Sequence, residues 1–275
     1  MKTMVQRTIP SSGETVPAIG LGTWQTFDVS RSGKEPLAAV LAGLHRAGGK
    51  LIDSSPMYGR AEEVIGDLTQ ASGIADNYFY ATKVWTQGRE AGIRQMEDSM
   101  QKMQRTTIDL MQVHNLVDWK THLKTLAAWK EKGIVRYIGI THYTNAYHEE
   151  LERILTTEPV DFVQFNYSIT ARNAEKRLLG AAADKGVATL INRPFGEGSL
   201  FVHVSGKALP PWAAAYQITT WSQFFLKFIL SHPAVTCVIP ATGNPKHLLD
   251  NVQAGTAPLP DAAGRERMAA YIASL

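Results

Sequence analysis

Three apolar stretches of this chain each end in a polar side chain that is suited to proton transfer. They end at Asp53, Lys83 and His114, and Tyr58 follows Asp53 closely. Buried parallel strands read as apolar runs, and in a barrel of such strands the carboxyl ends form one face. A carboxylate, a lysine, a histidine and a tyrosine on one face are the parts of an acid–base site.

Lys83 indicates which chemistry this set of residues favours. A lysine is almost never fully buried without a partner, and Asp53 on the neighbouring strand is the partner that we expect. An ammonium beside a tyrosine hydroxyl favours the phenolate, so we expect the pKa of Tyr58 to lie below its usual value of about 10. With His114 to orient a carbonyl group, the set favours reduction of ketones or aldehydes, and the hydride must come from a cofactor.

Other interpretations of the same residues stay open. Asp53 alone is also typical of a carboxylate that caps the loop after a strand, and His114 alone is typical of a buried core histidine. A barrel lyase or isomerase that uses Lys83 as a Schiff base is one alternative function. A barrel that binds a cofactor without catalysis, as a sensor or regulatory subunit, is another.

Strand-like runs alternate with helical patterns along the whole chain, which predicts an α/β fold. The predicted strands cover residues 18–22, 51–53, 78–83, 108–114, 136–141, 162–166, 188–192 and 236–239. The predicted helices cover residues 36–47, 61–71, 91–103, 119–132, 146–156, 174–185, 219–231 and 246–254. Eight such repeats with short connections predict a closed (β/α)₈ TIM barrel, in a single domain over residues 1–275. Outside the repeats, the pattern of residues 6–16 predicts a β-hairpin that caps one end of the barrel. The pattern of residues 261–275 predicts an extra C-terminal helix.

Composition excludes several classes of partner. The net charge is only +3, and Lys and Arg are interspersed with Asp and Glu, so we expect no nucleic-acid partner. No window approaches the roughly 18 apolar residues of a membrane span. No apolar segment follows the basic residues at the N-terminus, so we expect a cytoplasmic protein, although a leader removed by processing leaves no trace. We also expect the protein to be a monomer and Cys237 to be buried. Because the sequence has no CxxC pattern, we expect no metal site.

Two loops at the last strand ends are candidates for binding the phosphates of a cofactor, as is common in barrels. The loop 192–200 is rich in glycine and carries Arg193 near its start. The loop 240–247 leads into a helix with Pro245 in its first turn, where free backbone amides meet an anion well. The first strand is not followed by a GxGxxG motif, so no Rossmann site is expected.

Together these segments resemble the aldo-keto reductase superfamily, bacterial type, over nearly the whole chain. The segments that carry the resemblance are 20–24, 52–59, 81–83, 112–115 and 238–245. The resemblance implies an NAD(P)H cofactor extended across the top of the barrel and a small-molecule carbonyl substrate. It implies that Tyr58 is the proton donor, that Lys83 and Asp53 lower its pKa, and that His114 positions the substrate.

The resemblance also implies a set of cofactor contacts, from which this chain departs in places. The family's Ser-Asn pair corresponds to Thr141 and His142, so His142 is expected to act as the substitute donor. Gln164 matches the family's carboxamide-binding glutamine, whereas the stacking tyrosine corresponds to Asn192. The implied set is Gly22, Thr23, Thr141, His142, Gln164, Asn192, Arg193, Pro194, Phe195, Gly196, Gly198, Leu200, Pro240, Ala241, Thr242, Gly243, Lys246, His247, Asp250 and Asn251.

The choice between NADPH and NADH depends on residues where the chain differs from its family. The usual lysine and arginine at the 2′-phosphate correspond to Ala241 and His247, with Thr242 unchanged. Lys246 and His247 at a helix N-terminus favour NADPH, and NADH stays open.

Aromatic residues near the strand ends predict the substrate pocket. Trp24, Trp85 and Trp119 are the expected lining, and Trp212 and Tyr143 are further candidates. The segment 202–218 is a candidate lid.

Overall fold

The computed structural model describes residues 3–256 and 258–275. Met1, Lys2 and Ala257 fall within the predicted single domain but lie outside the described residues. The described strands are β1 (Gln6–Thr8), β2 (Thr15–Pro17), β3 (Leu21–Gly22), β4 (Leu51–Asp53), β5 (Phe79–Val84), β6 (Ile108–His114), β7 (Val135–Thr141), β8 (Phe162–Asn166), β9 (Ala188–Asn192) and β10 (Cys237–Val238). The described α-helices are α1 (Lys34–Arg46), α2 (Ala61–Ala71), α3 (Arg89–Lys102), α4 (Trp119–Glu131), α5 (His148–Thr157), α6 (Leu178–Asp184), α7 (Ser199–His203), α8 (Trp221–Leu230), α9 (Pro245–Ala254) and α10 (Ala262–Ala273).

The strands β3 to β10 form one parallel sheet in chain order, and this sheet closes on itself. The first strand, β3, and the last strand, β10, meet at the seam of the barrel. There, the backbone N–H of Gly20 donates to the carbonyl oxygen of Val238 at 2.9 Å. The N–H of Val238 donates in turn to Ala18 at 2.9 Å. A further bridge joins Gly22 to Ala241. These contacts confirm the predicted (β/α)₈ barrel.

The core of the molecule lies in two layers. One layer fills the inside of the barrel with side chains from successive strands, such as Phe79, Leu110 and Phe162. Ile9 and Val16, from the antiparallel hairpin β1–β2, belong to this same cluster. The hairpin therefore closes the N-terminal end of the barrel, as predicted, and the opposite face stays free for a site. A larger second layer packs the outer faces of the strands against the helices.

Side-chain caps fix the starts of several helices on the outside of the barrel. The hydroxyl of Thr220 accepts a hydrogen bond from the backbone of Gln223 at the start of α8. The carboxylate of Asp261 does the same for Gly264 at the start of α10, at 2.8 Å. Such caps satisfy backbone donors that the first helical turn leaves free, and they stabilise the helix by about 1 kcal/mol each.

The segment 202–218, a candidate lid, packs on two neighbouring helices. Its chain forms the end of α7 and a 3₁₀ helix, Pro211–Tyr216. The ring of Trp212 lies 5.9 Å from that of Phe224 in α8 and 6.0 Å from that of Tyr271 in α10. These apolar contacts hold the segment against α8 and α10, and the lid interpretation stays a prediction.

The lone cysteine lies where the sequence placed it. Cys237 is fully buried in the last strand, as predicted. Among the described residues, no helix has both the length and the apolar character that a membrane crossing requires.

Candidate active site

A buried ion pair lies at the centre of the face formed by the carboxyl ends of the strands. The ammonium of Lys83, at the end of β5, is fully buried and lies 2.6 Å from a carboxylate oxygen of Asp53, at the end of β4. It also donates to the carbonyl oxygen of Ser54 at 2.6 Å. Burial lowers the pKa of Lys83, but the neighbouring Asp53 and Tyr58 outweigh it and raise this pKa above its ordinary value. The lysine is therefore a fixed cation, which argues against a Schiff-base nucleophile.

Two glutamine amides hold the other oxygen of the carboxylate. Gln112 Nε2 donates to Asp53 Oδ1 at 3.1 Å, and Gln164 Nε2 donates to the same oxygen at 2.9 Å. The oxygen of the Gln164 amide accepts from the hydroxyl of Thr141 at 3.2 Å. Gln112 was missed by the sequence analysis, although it precedes His114 by two positions on one strand, and such residues face the same side.

Tyr58 lies beside the ion pair and the histidine. The ammonium of Lys83 is 5.1 Å from the centre of the tyrosine ring, and the ring of His114 meets it edge-on at 5.9 Å. Burial of the phenol raises the pKa of Tyr58 above its usual value, and the opposing effect of Lys83 is smaller. The prediction of a lowered pKa was therefore wrong in its net direction, because desolvation outweighs the charge. The phenol keeps its proton at neutral pH.

His114 completes the group as a neutral imidazole. Its Nδ1 lies 2.9 Å from the hydroxyl oxygen of Ser55. Burial, helped by the charge of Lys83, lowers the pKa of His114 to about 2. The ring therefore stays uncharged in any ordinary assay, and it can act only through hydrogen bonds.

These groups open into a cavity of about 620 Å³. Asp53, Tyr58 and His114 line it directly. The predicted cofactor residues that line it are Gly22, Thr23, Thr141, Gln164, Asn192, Arg193, Pro194, Phe195, Gly198 and Ala241. The predicted residues Gly196, Leu200, Pro240, Thr242, Gly243, Lys246 and His247 belong to the same two loop regions but not to its lining. Lining residues that the sequence analysis missed are Gln25, Thr26, Met57, Asn115, Glu197, Phe201 and Ile239.

Two of the three expected substrate tryptophans lie at this cavity. Trp24 and Trp85 line it with 39% and 42% of their surface exposed, which leaves their rings available to a ligand. Trp119 does not reach it. Its ring lies at the start of α4, 5.5 Å from the ammonium of Lys120 and 5.6 Å from the guanidinium of Arg153. The expectation for Trp119 is therefore corrected to a packing role at the surface of the barrel.

His142 is turned away from the role that the resemblance suggested. Its ring stacks on Tyr147 at 3.7 Å and on Tyr143 at 5.1 Å. Its Nδ1 accepts the backbone N–H of Tyr143 at 3.0 Å. The ring does not line the cavity, so the substitute donor expected here is not placed to act. The neighbouring Asn192 lines the cavity instead.

Arg193 brings a second cation to the cavity. Its guanidinium lies 4.3 Å from the centre of the Tyr143 ring and pairs with Glu197 at 2.7 Å. Both Arg193 and Glu197 have left-handed backbone, with φ of 51° and 56°. Residues other than glycine seldom adopt this conformation, and those that do concentrate at functional sites.

The predicted adenine-side residues have structural partners. Asp250 accepts hydrogen bonds from Thr220 at 2.8 Å and from Gln223 at 2.7 Å, and so joins α9 to α8. Asn251 is buried, and its side-chain oxygen accepts from Ser222. Their contact with a cofactor stays a prediction.

Lys246 and His247 are exposed in the first turn of α9. The amide oxygen of Asn244 accepts the backbone N–H of Lys246 at 2.9 Å and caps this helix. Thr242 in turn accepts the backbone N–H of Asn244 at 3.1 Å. The loop is therefore held in shape while both basic side chains remain free to meet a ligand.

Comparison with known proteins identifies the class to which this fold and site belong. The model of the aldo/keto reductase family matches residues 18–265. The methylglyoxal reductase YeaE of Escherichia coli is 26% identical over 261 residues, which are 90% of this chain and 89% of that protein. The aldo-keto reductase YhdN of Bacillus subtilis is 27% identical over 206 residues, 68% of this chain and 61% of that protein. A crystal structure of an aldo-keto reductase from Klebsiella pneumoniae in complex with NADPH matches the fold with a TM-score of 0.83 at 21% identity, over 99% of this chain and 95% of that one.

The chain belongs to the aldo/keto reductase family. It is an NAD(P)H-dependent oxidoreductase that acts on carbonyl compounds. Among the described residues, no group of three or more His, Cys, Asp or Glu is arranged to hold a metal ion.

Proposed function

We propose that this protein reduces aldehyde or ketone groups of small molecules to alcohols, with NADPH as the hydride donor and Tyr58 as the general acid. One observation carries the proposal above the others. The phenol of Tyr58 keeps its proton and lies in the cavity between a permanent ammonium and a neutral imidazole. Such a phenol is suited to protonate a carbonyl oxygen as negative charge develops there.

The nicotinamide ring, when bound, supplies a hydride to the carbonyl carbon. Tyr58 gives its proton to the carbonyl oxygen and becomes a phenolate. Lys83 stabilises that phenolate, since its ammonium lies over the tyrosine ring and is fixed by Asp53. His114 holds the same oxygen by a hydrogen bond and takes up no proton, because its pKa is near 2.

The residues of the cavity fit a nicotinamide amide. Asn192 lines the cavity, and its side-chain oxygen is buried without a hydrogen-bond partner within the described residues, which leaves its capacity as an acceptor unused. Asn115 also lines the cavity with a buried oxygen that lacks a partner there. A side chain at Gly22 would place its Cβ 2.7 Å from the carbonyl oxygen of Ile239, so glycine is needed here for the close approach of the two strand ends at the barrel seam. The unpaired oxygen of Asn192, and the place of Gly22 and Asn192 in the cavity lining, support these two residues as cofactor contacts.

The preference for NADPH rests on charge. Lys246 and His247 are exposed at the N-terminus of α9, where the backbone also favours a phosphate. We assign the 2′-phosphate to these two side chains. Small 2-oxo-aldehydes are the first substrates to test, since one relative carries the name methylglyoxal reductase.

The proposal is tested by following the oxidation of NADPH and NADH by ultraviolet absorbance against a panel of aldehydes, ketones and quinones. The variant Tyr58→Phe should lower kcat by about 10²–10⁴-fold, the usual contribution of general acid catalysis. It should leave cofactor affinity almost unchanged in a titration by tryptophan fluorescence quenching. Tyr147→Phe, which makes the same change at a tyrosine outside the cavity lining, is the matched control. Undiminished reduction by Tyr58→Phe would overturn the assignment.

A further inference from the structure

Ser55 is a fully buried serine that touches the site through one hydroxyl group. Its Oγ lies 2.9 Å from Nδ1 of His114. The backbone N–H of Met57 donates to the same oxygen at 3.3 Å. The Ser55 hydroxyl has no third partner among the residues that the structure describes. Of these two partners, only Nδ1 of His114 can accept the proton of the Ser55 hydroxyl, because the N–H of Met57 is itself a donor.

The other ring nitrogen of His114 faces a different environment. Nε2 has no hydrogen-bond partner within residues 3–256 and 258–275, and it is not among the buried polar atoms that lack one. Because His114 lines the cavity, this nitrogen is the one available to a ligand. Whether it offers a proton or a lone pair decides whether it attracts or repels a carbonyl oxygen.

The hydrogen bonds select between the two tautomers of the neutral ring. If Nδ1 carried the proton, it would donate to Ser55, and the serine proton would have no acceptor in a buried place. If instead Ser55 donates to Nδ1, the serine oxygen still accepts from Met57 and every group is satisfied. The second arrangement places the imidazole proton on Nε2, because a neutral imidazole carries only one.

We propose that Ser55 is a positioning residue that fixes His114 as the Nε2–H tautomer, so that an N–H donor faces the substrate. This inference rests on the proposed carbonyl reduction. The backbone N–H of Met57 orients Ser55, Ser55 orients the imidazole, and the imidazole donates to the carbonyl oxygen. The proton that reaches this oxygen still comes from Tyr58, and His114 keeps its own.

Nuclear magnetic resonance of protein with ¹⁵N-labelled histidine tests the tautomer directly, with and without NADPH. In the unmutated protein, the Nε2–H pattern of His114 should persist from about pH 5 to 9, across the range where a free histidine titrates. In Ser55→Ala, the pattern should shift toward Nδ1–H or a mixture of both. Ser54→Ala is the matched control for the signal, since Ser54 is equally buried but its hydroxyl contacts no polar partner in the described chain.

Kinetics supply the second readout. Ser55→Ala should lower kcat/KM by about 10–10²-fold, less than the loss of a direct oxyanion donor, with unchanged cofactor affinity. The kcat/KM of Ser55→Cys, which has a weaker hydrogen-bond donor, should lie between those of Ser55→Ala and the unmutated protein. An Nδ1–H tautomer in the unmutated protein, or full activity in Ser55→Ala, would overturn the inference. The NMR measurement of the tautomer does not depend on catalysis. If the protein reduced no carbonyl compound but His114 was the Nε2–H tautomer, the proposed function would be refuted. The role of Ser55 in fixing the tautomer of His114 would still stand.

Discussion

The change of Lys83 to Met is the sharpest test of the framework that holds the site. Methionine keeps a flexible apolar stem of similar length, so the change removes the ammonium with little loss of packing. Two hydrogen bonds of 2.6 Å are lost, one to Asp53 and one to the carbonyl oxygen of Ser54. Asp53, only 2% exposed, then becomes a buried carboxylate without a counter-charge.

The expected size of the effect follows from these contacts. Removing one partner of a buried ion pair costs about 3–5 kcal/mol of unfolding free energy. Asp53 still accepts from the amides of Gln112 and Gln164, at 3.1 Å and 2.9 Å, so we expect the lower part of that range, about 3–4 kcal/mol. The double variant Asp53→Asn, Lys83→Met should recover at least about 1 kcal/mol, since the two positions are in contact and the stranded charge is gone.

The free energies are measured by urea unfolding at neutral pH, followed by tryptophan fluorescence and circular dichroism. Lys34→Met is the matched control, because Lys34 pairs with Asp67 at 2.5 Å but the side chain of Asp67 is 43% exposed. Exposed pairs contribute little, so the control should lose less than about 1 kcal/mol. Both variants at Lys83 should also lose carbonyl reduction, since the phenolate of Tyr58 is no longer stabilised.

If Lys83→Met unfolds at the same urea concentration as the unmutated protein and still reduces carbonyl compounds, the ion pair of Lys83 with Asp53 neither stabilises the protein nor supports its activity. A second contradicting result is a double variant that is less stable than Lys83→Met alone. That result would mean that the carboxylate is not the source of the loss.

Two further predictions concern the proton donor and the cofactor. Burial raises the pKa of Tyr58, so its base form is scarce at neutral pH; the rate of alcohol oxidation should rise with pH above neutral while carbonyl reduction stays level. An oxidation rate that peaks at or below neutral pH would contradict this. Replacing Lys246 and His247 together by Ala should weaken NADPH binding by about 1–3 kcal/mol and leave NADH almost unchanged, as titrated by fluorescence quenching. Equal affinity of the unmutated protein for both cofactors would show that the 2′-phosphate is not recognised.

Much of the fold follows from the sequence because parallel strands are buried on both faces. That burial forces continuous apolar runs, and each of the eight predicted barrel strands is present. The strand predicted over 18–22 is regular only at Leu21–Gly22, since its first half contributes to the seam through one isolated bridge, from Ile19 to Val238. Helix α7 and the 3₁₀ helix after it were not predicted, because their apolar side chains pack on other helices and show no simple period.

The chemistry of the site was only partly predictable. The pairing of Lys83 with Asp53 follows from the cost of a lone buried charge. The net direction of the shift in the Tyr58 pKa could not be predicted from the sequence. It depends on how deeply the phenol is buried, which only the three-dimensional structure gives. The contact between Ser55 and His114 joins residues far apart in the chain, and no spacing indicates it.

The seam of the barrel also bears on how the protein reaches its final state. The first barrel strand, at Leu21, can pair with the last one, at Val238, only after the whole sheet has formed. Until then the sheet has two unpaired edges, which favour aggregation. Contacts so distant in the chain slow folding. Because Gly22 and Ala241 belong to both the seam and the cavity wall, a ligand seated between them binds only the closed barrel. At a hundred times its Kd such a ligand adds about 2.7 kcal/mol to stability, so we expect a ligand that bridges these two residues to slow proteolysis of the protein.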